Sequence, residues 1–177
     1  QFGKVGVLGH SEGGTIALML AGERIPDFII SLAGVATPGV DCIVWQNVVT
    51  LQAKGVPEQM ALDYGKALRG IYAERTRRFR ESVSGGDSLA RLQGGAIPQA
   101  KEFVRELCAG EGLELPPQFV ANLEAVASSK SVWLDWFVTY NPAEAIGKIK
   151  CPVMAVNGSL DMQVPAQANL GGLEKLL

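Results

Sequence analysis

The chain has 177 residues, of which 47% are hydrophobic and 19% are charged, and its formal net charge is −2. This composition suffices for one substantial apolar core, and the charge attracts neither nucleic acid nor an anionic membrane surface. The longest apolar runs are too short and too often interrupted to span a bilayer, so we expect neither a nucleic-acid nor a membrane partner.

The first 34 residues predict two parallel strands joined by a helix. Val5, Val7 and Leu8 predict a short buried strand, residues 15–21 a helix, and the run "FIISLAG" from Phe28 a second strand. Both runs are continuously apolar, which is typical of a parallel sheet covered on both faces. The pattern therefore favours a strand–helix–strand unit inside an α/β fold.

Residues 40–140 predict helices and no strand of comparable strength. We expect the helices at residues 43–53, 57–82, 99–108 and 117–140. The run "YAERTRRFRES" in the second helix contains four arginines and two glutamates, which predicts a solvent-exposed, charged helix face. The arginines are Arg75, Arg77, Arg78 and Arg80.

The last 37 residues predict a short helix, a third buried strand and a final helix. The run "NPAEAIGKIK" offers Asn141 as a cap and Glu144 as a capping-box acid. The run "CPVMAVNG" reads as a strand and "VPAQANLGGLEKLL" as a helix. The three cysteines lack metal-ligand spacing, so we expect buried thiols, with neither a metal nor another cofactor.

The pentapeptide "GHSEG" at residues 9–13 matches G-x-S-x-G between a predicted strand and a predicted helix. Such a turn holds its serine in a strained conformation and raises the hydroxyl above the sheet edge, which makes Ser11 a candidate nucleophile. Gly9 and Gly13 are expected where side chains would collide between strand and helix. The backbone N–H of Glu12, at the helix start, is a candidate oxyanion donor.

A phosphate-binding glycine turn is the competing interpretation of this segment. The third residue of a G-x-G-x-x-G motif that starts at Gly9 would have to be glycine, but it is Ser11. The chain also contains no G-x-x-x-x-G-K-[ST] motif. A nucleotide site is therefore disfavoured.

The run "GHSEGG" after a buried strand, the helical insertion and "NPAEAIGKIKCPVMAVNGSLDMQVP" together resemble the second half of bacterial α/β-hydrolases of the serine aminopeptidase-like and esterase-like branch. The resemblance implies a partial α/β-hydrolase core of about three parallel strands, formed by residues 1–39 and 141–177. It also implies a helical cap formed by residues 40–140. The strands would be the family's fifth, sixth and seventh, so the family's first half would precede this sequence.

The resemblance implies Asp161 as the acid of a catalytic triad. In the family the acid commonly follows the seventh strand in a G-x-x-D loop, and "GSLD" at residues 158–161 fits that pattern. A turn aspartate that binds nearby backbone is the alternative interpretation of Asp161. Asp41, shortly after the second strand, is the alternative acid, or else the N-cap of a helix that begins at Ile43.

The base of the triad is the missing element. An acyl-transfer serine needs an imidazole within hydrogen-bonding reach, and the one histidine, His10, is the neighbour of Ser11. Neighbouring side chains on a tight turn diverge, so we interpret His10 as an elbow residue. The family's order of serine, acid and histidine implies that the base, like the second oxyanion donor, lies outside these 177 residues.

By resemblance, the chain is part of a serine hydrolase whose complete form cleaves a small-molecule carboxylic ester, or a peptide-like amide, through an acyl-enzyme. These 177 residues alone are expected to be inactive, because they lack the triad histidine. Trp133, Trp136 and Phe137 recur at helical spacing, which predicts either core packing or the wall of an acyl pocket.

A non-catalytic α/β module for binding or assembly is the alternative function. An open apolar edge at residues 5–8 would invite pairing with another chain, which predicts a homodimer through that strand.

Overall fold

A computed structural model describes residues 3–85 and 94–177, and within them it has three strands and eight helices. The strands are β1 (Gly6–His10), β2 (Phe28–Leu32) and β3 (Val153–Val156). The helices are α1 (Glu12–Gly22), α2 (Gly39–Ala53), α3 (Glu58–Ser84), α4 (Ala100–Gly110), α5 (Pro117–Ser128), α6 (Val132–Thr139), α7 (Ala143–Ile146) and α8 (Ala166–Leu176). The fold is mixed α/β and mostly helical.

The chain divides into two compact units. The first unit contains residues 1–46 and 140–177, and the second contains residues 47–139. The first division, between residues 46 and 47, therefore falls inside α2, whereas the sequence suggested a boundary at the start of that helix, between residues 39 and 40.

The first unit is built on a parallel sheet with strand order β1-β2-β3. In the register of this sheet, His10 pairs with Leu32, and Leu32 pairs with Val156. The carboxyl ends of all three strands are thus aligned along one edge. The prediction of a short parallel sheet of about three strands is confirmed.

One face of the sheet packs against helices and forms the core of this unit. Side chains alternate across a strand, so Val7, Ile29 and Val153 point to the same face. The helical side chains packed against them are Ala17, Leu18 and Ala21 of α1, Ile146 of α7 and Leu173 of α8. This burial anchors α1, and with it the turn that precedes α1.

The opposite face of the sheet is exposed within the part of the chain that is described. Leu8 is 62% exposed and Met154 57%, and in the sheet register they lie on either side of Ile30. The expectation that both faces are covered is wrong for these residues. Each strand is added on the same side of the one before it, in the order β1-β2-β3. When all connections run in one direction and are right-handed, the connecting helices lie on the same face of the sheet.

The short helix α7 is capped more simply than the sequence suggested. The side chain of Asn141 accepts a hydrogen bond from the N–H of Ala143 (3.1 Å), so Asn141 binds the first residue of the helix, although Pro142 is the residue at the N-cap. Glu144 instead receives a hydrogen bond from Lys148 (2.7 Å) one turn later, so its predicted capping-box role is wrong.

The central helix of the second unit is α3, which packs against α4, α5 and α6. Its buried residues recur every three or four positions, as expected for an amphipathic helix. The large ones are Tyr64, Leu68, Ile71, Tyr72 and Arg75. The buried stripe therefore ends in a cation.

Arg75 forms a fully buried ion pair with Asp135 of α6. Both side chains are inaccessible to solvent, and Arg75 Nε donates to Asp135 Oδ1 at 2.9 Å. The N–H of Gly95 donates to Asp135 Oδ2 at 2.6 Å. The prediction that Arg75 lies on an exposed charged face is wrong, although Arg77 on that face is exposed and paired with Glu74.

The same arginine binds the end of α5. Its Nη1 donates to the carbonyl oxygens of Val126 (2.9 Å), Ala127 (3.1 Å) and Ser129 (2.8 Å). The backbone of Ser129 is extended (φ −63°, ψ 140°), which ends the helix there. The single helix predicted at residues 117–140 is therefore two helices, α5 and α6.

We predict that Asp135→Asn strongly destabilises the protein. The change leaves the Arg75 cation buried without its counter-charge, and breaking a buried pair in this way costs about 3–5 kcal/mol. Urea unfolding followed by circular dichroism measures the loss. Arg77→Gln, on the exposed face of the same helix, is the matched control and should leave the urea midpoint almost unchanged. Equal midpoints for Asp135→Asn and wild type would contradict the structural role of the pair.

We predict self-association through the edge of β1. Val5, just before the edge strand β1, is 60% exposed, and Leu8 within that strand is 62% exposed. An unpaired apolar edge favours pairing with a second copy. Leu8→Lys should lower the average mass measured by light scattering at high protein concentration. Leu62→Lys, which replaces an exposed leucine of α3, should not. A wild-type protein that remains monomeric at every concentration would refute this prediction.

Candidate active site

Ser11 occupies the single residue between β1 and α1, and its backbone is strained. Its dihedral angles are φ 54° and ψ −120°, in a region that residues with a side chain rarely adopt. Such a conformation costs about 1–3 kcal/mol and persists only where the surroundings impose it. The predicted strained turn at the serine of G-x-S-x-G is therefore present.

Hydrogen bonds on both sides impose this conformation. The Ser11 N–H donates to the carbonyl oxygen of Leu32 at 2.8 Å, which extends the ladder between β1 and β2 by one residue. The Ser11 carbonyl oxygen accepts from the N–H groups of Gly14 (2.9 Å) and Thr15 (3.1 Å), which begins α1. Strand and helix thus meet at one residue, with no residue left to relax the turn.

The glycines of the turn differ in what they permit. A side chain at Gly9 would collide with the backbone of Gly13, and one at Gly14 would lie 2.8 Å from the Cα of Gly34. At Gly13 a Cβ atom would meet nothing within 4 Å. The expectation that Gly13 avoids a collision of its own side chain is therefore wrong, because it is the Gly13 backbone that fills the space beside Gly9.

The amino terminus of α1 begins directly after the candidate nucleophile. Glu12 is the first residue of the helix and its side chain is exposed. The N–H groups of a helix's first turn point outward along the axis and carry the positive end of the helix dipole. Glu12 thus stands where the sequence suggested an oxyanion donor.

Asp161 lies in the loop after β3, and one of its carboxylate oxygens binds that loop. Oδ1 accepts hydrogen bonds from the N–H groups of Gln163 (2.8 Å) and Val164 (3.0 Å). Within the described residues Oδ2 accepts no hydrogen bond. Oδ1 therefore binds nearby backbone as the turn-aspartate interpretation predicts, and Oδ2 is available to a further donor.

Ser11 and the Asp161 loop leave the sheet at the same edge. Ser11 follows β1 and Asn157 follows β3, and β2 alone separates these two strands. Neighbouring strands are about 4.8 Å apart, which places the two loop starts roughly 10 Å from each other. The loops of the candidate nucleophile and the candidate acid therefore both begin at the carboxyl ends of the strands. Ligands commonly bind at this end of a parallel sheet.

Cys42, in the first turns of α2, is a neighbour of Asp161 that the sequence analysis did not assign to the site. Its thiol donates to the carbonyl oxygen of Gln163 at 3.4 Å. Burial, together with the negative charge of Asp161, raises the pKa of the thiol to about 11. Cys42 is buried as predicted, whereas Cys108 and Cys151 are only half-buried.

The alternative acid, Asp41, is exposed in the first turn of α2. The helix begins at Gly39, so the interpretation of Asp41 as the N-cap of a helix from Ile43 is wrong. The Asp41 N–H donates to the carbonyl oxygen of Pro38 at 2.9 Å inside that first turn. Its role as the triad acid stays a prediction, as does that of Asp161.

His10 is the last residue of β1 and its side chain is exposed. Alternation along the strand places it on the same uncovered face of the sheet as Leu8. Its imidazole makes no hydrogen bond to the parts of the chain that are described, including Ser11. Its interpretation as an elbow residue beside the nucleophile, with no role as the base, stays a prediction.

The aromatic residues of α6 combine core packing with an exposed surface. The rings of Trp133 and Phe137 stack with centroids 5.4 Å apart and planes 13° from parallel. Phe137 is buried, Trp136 is half-buried and Trp133 is exposed. All three belong to the second unit, and their role in an acyl pocket stays a prediction.

Residues 3–85 and 94–177 contain neither a cluster of metal ligands nor a helix suited to cross a membrane. No group of three or more histidine, cysteine, aspartate and glutamate side chains among them could hold a metal ion. None of their helices is both long and apolar enough to cross a membrane.

No model of a known protein family matches the sequence, and no curated protein matches it.

We predict opposite effects of alanine at two glycines of the turn. Gly9→Ala should destabilise the protein by about 2 kcal/mol or more, because the new methyl group meets the backbone at Gly13. Gly13→Ala should leave the free energy of unfolding unchanged or raise it by up to about 1 kcal/mol, because alanine is the better helix former. Chemical denaturation of the two variants measures both effects. A destabilising Gly13→Ala beside a harmless Gly9→Ala would show that the turn differs from this geometry.

Proposed function

We propose that this chain is the nucleophile-bearing part of a serine hydrolase of the α/β-hydrolase type, acting on carboxylic esters through an acyl-enzyme. The observation that carries the proposal is the backbone of Ser11, held at φ 54° and ψ −120° between a parallel strand and a helix. A conformation this costly at a serine is expected where its hydroxyl performs a reaction. The sheet of three parallel strands and the loop that carries Asp161 support the same assignment.

In the proposed reaction, the Ser11 hydroxyl oxygen attacks the carbonyl carbon of the ester. The hydroxyl proton passes to an imidazole, and the negative oxygen of the tetrahedral intermediate lies against the N–H of Glu12 and the positive end of α1. Collapse expels the alcohol, which takes up the proton, and leaves an acyl group on Ser11. Water then repeats the sequence and releases the carboxylic acid.

Asp161 would orient that imidazole. Its Oδ1 is bound to the loop backbone, so Oδ2 would accept the hydrogen bond from the ring N–H. The proposal requires a histidine that these 177 residues do not supply, unless His10 turns toward Ser11. Residues 40–140 would be the cap, with Trp133, Trp136 and Phe137 as candidates for the pocket wall.

A non-catalytic assembly module is the second candidate function, and the uncovered sheet face favours it. Leu8, Phe28, Met154 and Val156 form an exposed apolar face, and such patches commonly mark interaction surfaces. On this view the strain at Ser11 would have no chemical role. Reactivity of Ser11 separates the two functions.

We predict that a fluorophosphonate labels Ser11 in the complete gene product, because these reagents phosphonylate activated serines. Ser11→Ala should abolish the adduct, located by peptide mass spectrometry.

Asp161→Asn should slow hydrolysis of an activated ester by about 10⁴-fold, as loss of the acid does in serine proteases. Asp41→Asn, which neutralises an exposed carboxylate instead, is the matched control.

Full activity of Asp161→Asn with a large loss in Asp41→Asn would move the acid to Asp41. Rapid hydrolysis by the 177-residue polypeptide that requires both Ser11 and His10 would make His10 the base. A folded gene product in which Ser11 never reacts would leave the assembly module as the function.

A further inference from the structure

A line of hydrogen bonds, of which the two to the middle loop are buried, connects the Ser11 turn to the Asp161 loop across the carboxyl edge of the sheet. It passes through the loop after β2, residues 33–38, which lies between the loops that carry the two candidate catalytic residues. Two buried polar side chains, Thr15 and Asn169, make the connections.

Thr15 binds the middle loop from the nucleophile side. It lies in the first turns of α1, is 1% exposed, and its Oγ1 accepts a hydrogen bond from the N–H of Val35 at 2.9 Å. The hydroxyl donates to the carbonyl oxygen of Ser11 at 3.5 Å, and the Thr15 N–H binds the same oxygen at 3.1 Å. The position of Val35 is thereby linked to the strained peptide of Ser11.

Asn169 binds the same loop from the acid side. It is 1% exposed on α8, and its Oδ1 accepts from the N–H of Ala36 at 2.7 Å. Its Nδ2 donates to the carbonyl oxygen of Pro165 at 3.0 Å. Pro165 directly follows Val164, whose N–H binds Asp161 Oδ1 at 3.0 Å.

The two links meet at consecutive residues, Val35 and Ala36. Their N–H groups are buried, and a buried donor without an acceptor costs about 1–3 kcal/mol. The middle loop is therefore held at both N–H groups, one by each flanking element. An apolar side chain at position 15 or 169 would orphan one of these groups and release one flank of the loop.

We propose that Thr15 and Asn169 are a pair of positioning residues that fix the separation of Ser11 from Asp161. The inference rests on the proposed function, because the separation matters only if an imidazole must fit between the two side chains. A displacement of about 1 Å in such a constellation can cost a factor of about 10² in rate. Neither residue touches the substrate or the reacting atoms.

The test compares variants of the complete gene product on an activated ester. Thr15→Val replaces the hydroxyl by a methyl group of similar size, and Asn169→Leu removes both polar atoms of the amide. Each should lower kcat about 10- to 100-fold and leave KM within about 2-fold, since geometry changes and substrate contacts do not. Thr15→Ser keeps the hydroxyl and should retain wild-type kcat.

Leu173→Ala is the matched control for a merely structural effect. Leu173 is buried on α8 one turn after Asn169, so the change destabilises the same helix without removing a polar link. All variants are assayed well below their own melting temperatures. Losses of kcat in Thr15→Val and Asn169→Leu that match the loss in Leu173→Ala, or losses that reside in KM, would overturn the proposal.

Hydrogen exchange supplies a readout that does not depend on catalysis. In Asn169→Leu the amides of Ala36, Gln163 and Val164 should exchange at least about 10-fold faster than in Leu173→Ala. Protection of these amides equal to that in Leu173→Ala would refute the link to the acid loop. A wild-type protein in which Ser11 does not react would instead refute the proposed function, and this exchange comparison would still decide whether the link exists.

Discussion

The backbone N–H and C=O of Ser11 belong to two different hydrogen-bonded systems, and the rest of the first unit depends on this constraint. Its N–H extends the ladder of a parallel sheet, while its carbonyl oxygen accepts the first bonds of a helix. A transition from strand to helix within one residue requires an unusual backbone conformation. The burial of α1 against the sheet supplies the free energy that holds it there.

The same constraint organises the neighbouring loops. Because α1 must approach the sheet closely, Gly14 lies against Gly34, and the loop after β2 can bind Thr15 directly. That loop then binds Asn169 of α8, so the three loops at the carboxyl edge form one connected structure. Polar groups this deeply buried are tolerated because each is paired.

Local features of the fold were predictable from the sequence, and features fixed by distant partners were not. The strands and the turn at Ser11 follow from short patterns whose physical causes lie within a few residues. The burial of Arg75 depends on Asp135, sixty positions away, although the stripe from Ala61 through Leu68 would have placed position 75 inside. The uncovered face of the sheet depends on the direction in which the strands are added, which no single run of residues encodes.

The environment of the carboxyl edge also distinguishes Ser11, the candidate nucleophile, from Cys42, which lies beside Asp161. Cys42 is intrinsically the better nucleophile, but only as a thiolate. Its burial and the charge of Asp161 raise its pKa to about 11, so it remains a neutral thiol at neutral pH and donates to the carbonyl oxygen of Gln163. Ser11 is only half-buried and stands at the positive end of a helix, where an oxyanion would be stabilised. Burial, reinforced by the charge of Asp161, thus keeps the cysteine unreactive, while the second oxygen of that carboxylate would accept the hydrogen bond from the proposed base.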